Sequence, residues 1–436
     1  MWLVHDSVEL EKLGIPTITI VTTEFVGLAK TSALSFGVAD MCLLTVPHPF
    51  AGLKLEEIEA KADATFPEIL KSATEWKPTV TKLPLAKPPY PAERIKFKGT
   101  VQDVNRMFFE KGWSEGLPII PPTPERVAEM LKGTTRRPDE VLWVVPSRNG
   151  ILTTELLATY AVMAGCKPEY MPVLLGAIEC FKDPQFNWRG ARTTTSAKGV
   201  ILIVNGPIVK EIGLGYGQGA AGPGYHANLS IGYALSLIDE VIGGGKKPNV
   251  DKSVLGSAMD IVFTVMGENE DANPWQPYHV EKGYKKSDNV ITARNTDELI
   301  QVNDVESLTG DAHLGVFIRN LSITCFGIGD SVANEDIYLI LCPERAALFA
   351  KEGWTKEKIR QFIYENARIP YWMMPGCKPP KEWVGKYGPI TPDTKVPMLT
   401  SSDTIHIFVI GGSGTHSAYF KGFPRFGRQA TKRFEK

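Results

Sequence analysis

The sequence predicts an α/β protein, with an incomplete parallel-sheet N-terminal domain and a larger α/β region that carries glycine-rich loops at its strand ends. Three observations carry this. Short β-branched runs bounded by breakers, such as Ile15–Val21 and Val200–Val204, alternate with amphipathic stretches of helical length. Glycine clusters follow apolar runs, at 213–224 and again at 411–414. The 40 Gly and 32 Pro exceed what a helix bundle tolerates.

In chain order, 6–13 reads as a short helix stopped by Gly14 and Pro16, because proline cannot extend it. The strand 15–21 follows, then a helix over 24–36, a strand over 41–46 and an amphipathic helix over 53–72. Alternation of this kind implies parallel strands covered by helices. Such a unit normally begins with a strand, yet this text begins almost at the helix. Segment 77–95 is Pro-rich, polar and without periodicity, so it reads as a linker between a domain over 1–76 and one over 96–436, with a sub-boundary near 300. Helices are expected over 101–111, after Thr123 as N-cap, over 154–164, 171–181 and near 231–241. Residues 200–204 and 260–266 read as strands. A third βα set takes in 316–327, 337–341, helices near 344–352 and 356–367, and 404–410. No internal repeat is visible.

Composition excludes several function classes. Lys+Arg 48 against Asp+Glu 49 leaves no basic excess for nucleic acid, and the basic tail 421–436 reads as a solvated terminus. No apolar run reaches the ~20 residues of a membrane span, and the N-terminus lacks a basic leader pattern. The six cysteines show no CxxC spacing and read as reduced thiols of a cytoplasmic protein.

The stretch HDSVELEKLGIPTITIVTTEF, continued by VADMCLLTVPHPF, resembles the UGSC-motif proteins, a family of selenocysteine- or cysteine-containing proteins. These are distantly similar to the selenoprotein B component of glycine, sarcosine and betaine reductases. GWSEGLPIIPPT, AVMAGCKPEYMPV, VNGP, GPGYHANLSIGYAL, ENEDANPW and GGSGTHSAYF are familiar from longer members. The resemblance implies a UGSC or CGSC tetrapeptide in the loop before the first helix, and this text starts downstream of it. The expectation is either a start placed after an in-frame selenocysteine codon or a partner chain that supplies the segment. No residue here takes the family's redox role.

The candidate sites come from loop chemistry. The segment after Val200–Pro207 frees its backbone for close ligand approach at glycines such as Gly224, with His226 and Asn228 as its polar groups; a lid or tight packing is the alternative. Gly412, Ser413, Thr415 and Ser417 follow a strand, and His416 among them can shuttle a proton; an exposed turn is the alternative. Glu268 and Asn269 at a strand end suit a general base and a hydrogen-bonder, or a solvated turn. Cys166 ends a helix, where the dipole raises a thiol pKa, so a buried structural thiol competes with a nucleophile. Cys42, Cys325 and Cys342 read as core. Arg189 and Arg192, in a polar stretch before a buried strand, suit a carboxylate or phosphate, or are surface arginines, and Arg192 with Asn205 would orient substrate. His48, His313 and Asp330 are further loop candidates. No Cys/His cluster or HExxH marks a metal, no motif names a cofactor, and a metal on dispersed His226, Glu268 and His416 is left open.

Three functions fit these residues. By resemblance, the first is a thiol- or selenol-linked redox enzyme cleaving a carbon–heteroatom bond in a small polar or anionic substrate. The second is a lyase or hydrolase working by His/Glu proton transfer. The third is a non-catalytic subunit completed by a partner chain. A homodimer is the expected assembly.

Overall fold

The computed structural model describes residues 2–38, 40–50, 52–77, 87–296, 298–324, 336–374, 381–422 and 427–436. Its strands are β1 (Thr19–Thr22), β2 (Leu43–Val46), β3 (Val141–Val145), β4 (Gly150–Thr153), β5 (Gly199–Asn205), β6 (Thr264–Gly267) and β7 (Asn289–Thr296). They continue with β8 (Leu299–Val302), β9 (Asp336–Leu341), β10 (Arg368–Pro370), β11 (Lys395–Pro397), β12 (Ile405–Val409), β13 (Ser417–Gly422) and β14 (Ala430–Phe434). The α/β class is what the sequence predicts.

The N-terminal unit follows the expected order: helix Trp2–Lys12, β1, helix Val26–Ser35, β2, helix Leu55–Glu75. β1 and β2 pair in parallel, Thr19 opposite Leu43, as a two-stranded sheet. Val4, Val8, Ala29, Ala33 and Met41 form its own small core. It joins the larger unit through polar contacts. Arg189 donates to Ser35 Oγ at 2.6 Å and stacks 4.4 Å from the Phe36 ring, Asn149 donates to the Ser35 carbonyl, and Lys252 to the Glu24 carbonyl. Arg189 is therefore a joint between units and not an anion site.

Two four-stranded sheets dominate the larger unit, ordered β14-β7-β5-β6 and β8-β13-β9-β12. Their strand directions also match. The β5/β6 and β9/β12 pairs are parallel, and every other neighbour is antiparallel. Each half contributes three strands to its own sheet and sends its fourth to the other, β8 after β7 and β14 after β13. The fold thus contains a structural repeat with exchanged edge strands, correcting the expectation of none. The loop motifs of the halves differ in wording, so self-similarity is not visible in the text. Ile201, Ile203 and Met266 of one sheet meet Tyr338, Ile340, Phe408 and Phe420 of the other in a shared apolar layer. Burying side chains of this size contributes roughly 1.5–3 kcal/mol each.

Two element readings need correction. Residues 316–324 lie in the helix Gly310–Thr324, because the apolar positions Leu314, Phe317 and Leu321 repeat at helical spacing. The 260–266 strand is shorter, with a turn of helix, Ala258–Ile261, before β6. Cys325, Asp330, Cys377 and residues 78–86 of the linker lie outside the described residues.

Candidate active site

The carboxyl ends of β9 and β12 open on a cavity of about 380 Å³ lined by Gln218, Gly219, Met266, Gln301, Ile340, Cys342, Gly412, Ser413, His416 and Ser417, among others. This is where parallel strands present chemistry, since loops there are held by a rigid sheet. The two glycine-rich segments of the sequence meet here. Gly411 N donates to the Tyr216 carbonyl at 2.8 Å, and a Cβ on Gly412 would fall 2.2 Å from Gln218 Oε1, so only glycine lets these loops touch. Gly411 at φ +107° and Gly414 at φ +147° hold backbone that side chains resist. A larger, mainly apolar cavity of about 530 Å³ lies beneath residues 92–99. It gathers no comparable set of reactive groups.

Behind one wall of the first cavity, three buried side chains form a hydrogen-bond chain that ends at Ser417, the one of them in the cavity lining. Asp304 Oδ2 lies 2.6 Å from His313 Nδ1, and His313 Nε2 lies 2.9 Å from Ser417 Oγ. Ser417 opens β13, His313 sits in the first turn of helix Gly310–Thr324, and Asp304 lies between β8 and that helix. Asp304 accepts from Glu306 N and Ser307 N through Oδ1, which fixes its carboxyl group. These bonds and His313 hold its pKa far below the carboxylate range against the opposing effect of burial. Burial pushes the His313 imidazole below its ordinary value, with Asp304 opposing. A neutral imidazole beside an ionised carboxylate must donate through Nδ1, which leaves the Nε2 lone pair for the Ser417 hydroxyl. Arg345 gives its guanidinium to the carbonyls of Thr415, Ser307 and Asp304 at 2.7, 2.7 and 2.9 Å, so it braces the loop around the site.

His416 is exposed on the same cavity, and its Nδ1 accepts from Asp304 N at 3.2 Å. Cys342, read as core in the sequence, also reaches the wall. Its thiol donates to the Gly414 carbonyl at 2.9 Å, and burial raises its pKa, so it is held as a protonated brace.

Of the residues chosen from sequence, Gly412, Ser413, His416 and Ser417 line this cavity. The others lie elsewhere. Thr415 contributes only its carbonyl, to Arg345. Glu268 is fully buried and accepts from Asn205 Nδ2 at 2.6 Å, Tyr278 N at 2.8 Å and Asn273 Nδ2 at 2.9 Å. Full burial pushes its pKa up, and the carboxyl clamps strand ends behind the cavity instead of serving as a free base. Asn205 is its partner, and Asn269 Nδ2 ties Gly411 O at 3.1 Å. Asn228 folds the glycine segment on itself, accepting from Gly215 N and donating to the Gly215 and Ala220 carbonyls. His226, at an exposed helix start, meets the Tyr170 hydroxyl at 3.3 Å, and Gly224 precedes it at φ +110°. The His226, Glu268 and His416 set does not share the cavity.

Two assignments are corrected outright. Arg192 is wholly buried between Asp239 and Asp260 at 3.3 and 3.4 Å, with Asn295 and the Gly199 carbonyl as further partners, so it cannot meet a substrate. Cys166 is buried and its thiol is pushed up to about 12, so it is not a nucleophile at neutral pH. His48 sits exposed on the N-terminal unit, bonded to Thr22 Oγ1 at 3.1 Å. Sequence reasoning missed Asp304 and Arg345 and left His313 without a partner. The spacing Asp304-x-Glu306-Ser307, an Asx turn, was the available signal for Asp304.

Among the described residues, one acidic group has metal-ligand proximity: Glu240, Asp251 and Asp260. Lys198 Nζ already stands among them, 3.5 Å from Glu240 and Asp260 and 3.6 Å from Asp251, so the cluster is a buried ion network. No described helix is long and apolar enough to cross a membrane.

Compared with known proteins, residues 1–75 match the UGSC family model. No curated protein and no solved structure matches the chain. The cavity lies outside the matched residues.

Proposed function

We propose that this chain, whose first 75 residues belong to the UGSC family, is a hydrolase in which Ser417 is the nucleophile, His313 the general base and acid, and Asp304 the group that orients and charges the pair. The observation that carries the reading is the continuous chain Asp304–His313–Ser417, at 2.6 and 2.9 Å, whose last member is a buried residue of the cavity lining. Such sets are recognised by geometry and roles, not by order in the chain. Here the order is Asp, His, Ser.

The step is an acyl transfer. Ser417 Oγ bonds to a carbonyl carbon as its proton passes to His313 Nε2, and the carbonyl π pair moves onto oxygen. Collapse breaks the bond to the leaving group, which takes the proton from His313 and departs. Water then attacks the acyl-serine by the same route, and the acid and free Ser417 are released. Asp304 stabilises the transient imidazolium without taking its proton.

Ser417→Ala should abolish ester hydrolysis above background while Cys342→Ala retains it. Retained turnover in the Ser417 variant would reject the assignment.

Thiol-linked reductive cleavage is the second reading. It is supported by the family match, and Cys342 is the described thiol on the cavity. Loss of activity on alkylating Cys342, with Ser417→Ala active, would favour it. We further propose a homodimer in the cytoplasm. Exposed Trp2, Leu13, Ile15, Leu55 and Phe66 on the N-terminal unit support association, and four buried free cysteines, Cys42, Cys166, Cys180 and Cys342, support a reducing compartment.

A further inference from the structure

We infer that the cavity takes a small uncharged ester or amide, and that His416 Nε2–H donates to its carbonyl oxygen as negative charge develops there. This deepens the hydrolase reading and rests on Ser417 as nucleophile.

The first argument is tautomeric. Asp304 contacts both histidines of the site in opposite senses. Its carboxylate takes the Nδ1 hydrogen of His313, which leaves a lone pair at Nε2. Its backbone N–H donates to Nδ1 of His416, which places the hydrogen of the neutral ring on Nε2. One imidazole is thereby set as an acceptor toward Ser417 and the other as a donor on the same cavity. A fixed donor that strengthens its bond as the carbonyl becomes an oxyanion lowers the barrier, because it needs no reorganisation during the reaction. The N–H groups of Gly412, Ser413 and Gly414 carry no hydrogen bond among the described residues and can assist. During attack His416 keeps its proton. The new C–O bond comes from Ser417, and the displaced π pair rests on the substrate oxygen.

The second argument is charge. The lining contains Gln218, Gln301, Ser413, Cys342, His416 and Ser417 as polar groups but no Asp, Glu, Lys or Arg. The nearby ions are engaged elsewhere. Arg345 is spent on three carbonyls and Asp304 on His313. Met266, Leu299, Ile340 and Ile410 supply an apolar wall. A substrate carboxylate or phosphate would lose hydration here without gaining a counter-ion, which is costly. A volume of about 380 Å³ lies at the small end of ligand sites.

The test uses the full chain with p-nitrophenyl butyrate and the p-nitrophenyl monoester of succinate, which adds a carboxylate at the acyl end. The expectation is a kcat/KM about 100-fold higher for the butyrate. His416→Ala should lower kcat by roughly 10²–10³ with little change in KM, and His416→Gln, which keeps an N–H donor, should recover part of the loss. Labelling of Ser417 by an alkyl fluorophosphonate, run in parallel, shows that each variant is folded and that the nucleophile reading holds. Intact labelling with preference for the succinate overturns the uncharged substrate. Intact labelling with unchanged kcat in His416→Ala overturns the donor. Absence of labelling in the unsubstituted chain overturns the inference together with the hydrolase reading.

Discussion

Asp304 Oδ2 stands 2.6 Å from His313 Nδ1, with both side chains buried. That contact fixes which ring nitrogen faces Ser417. Replacing Asp304 with Asn should turn the relation around, because a side-chain amide can donate to Nδ1 and leave the hydrogen on Nε2. The prediction is a fall in kcat of about 10³–10⁴ for Asp304→Asn. Steady-state ester kinetics with a thermal melt on the same sample checks it. A variant that stays folded and loses less than about tenfold would show that the tautomer does not matter.

The base must be neutral to accept a proton. Burial pushes His313 below 6.5 in the folded chain, so the acid limb of kcat/KM should fall below pH 6.5, and activity should persist where an exposed histidine would already be protonated. A pH–rate profile for an uncharged ester measures this. A limb at or above 6.5 contradicts the burial argument.

Stability should respond to pH through a different region. Burial pushes Glu115 up to about 8 and Glu240 to about 7, from an ordinary 4.5. Ser236 bonds Glu115, while Lys198 and Lys247 face Glu240, and Asp239 and Asp260 repel both. A raised carboxylate binds its proton more tightly folded than unfolded. Its contribution is therefore complete below pH 4.5 and is lost as pH rises through about 7 and 8. Denaturant melts between pH 5.5 and 8.5 should lose about 5 kcal/mol from these two groups, and Glu115→Gln should remove a large share of the slope.

Arg192 tests the distinction between structure and chemistry. Arg192→Met leaves Asp239 facing Lys198, and Asp260 facing Lys198 and the more distant Lys247, and should destabilise the chain by about 3–5 kcal/mol. Turnover per folded molecule should stay within about twofold. A selective loss of kcat at unchanged melting temperature would return Arg192 to the site.

Much of this fold could be read from the text because local signals agreed with tertiary placement. β-branched runs became β1, β2, β5, β9 and β12, and Thr123 caps its helix by accepting from Arg126 N. The repeat could not be read, since it lives in strand order and the exchange of β8 and β14 across sheets, which no local period encodes. The site was half legible. The loop 411–417 was found because small residues after a strand have a physical reason to be there. Asp304 was not, because its partner His313 is nine residues away and Ser417 a further 104. Arg192 misled for a related reason, as a guanidinium reads alike from sequence whether it faces an anion or is sealed among carboxylates.

The most direct measurement is covalent capture. An alkyl fluorophosphonate forms a P–O bond to an activated serine and expels fluoride, and peptide mapping locates the adduct. The account predicts one equivalent on Ser417, absent in His313→Ala and in denatured chain. An unmodified Ser417 in active protein, or an adduct placed on another residue, would contradict it.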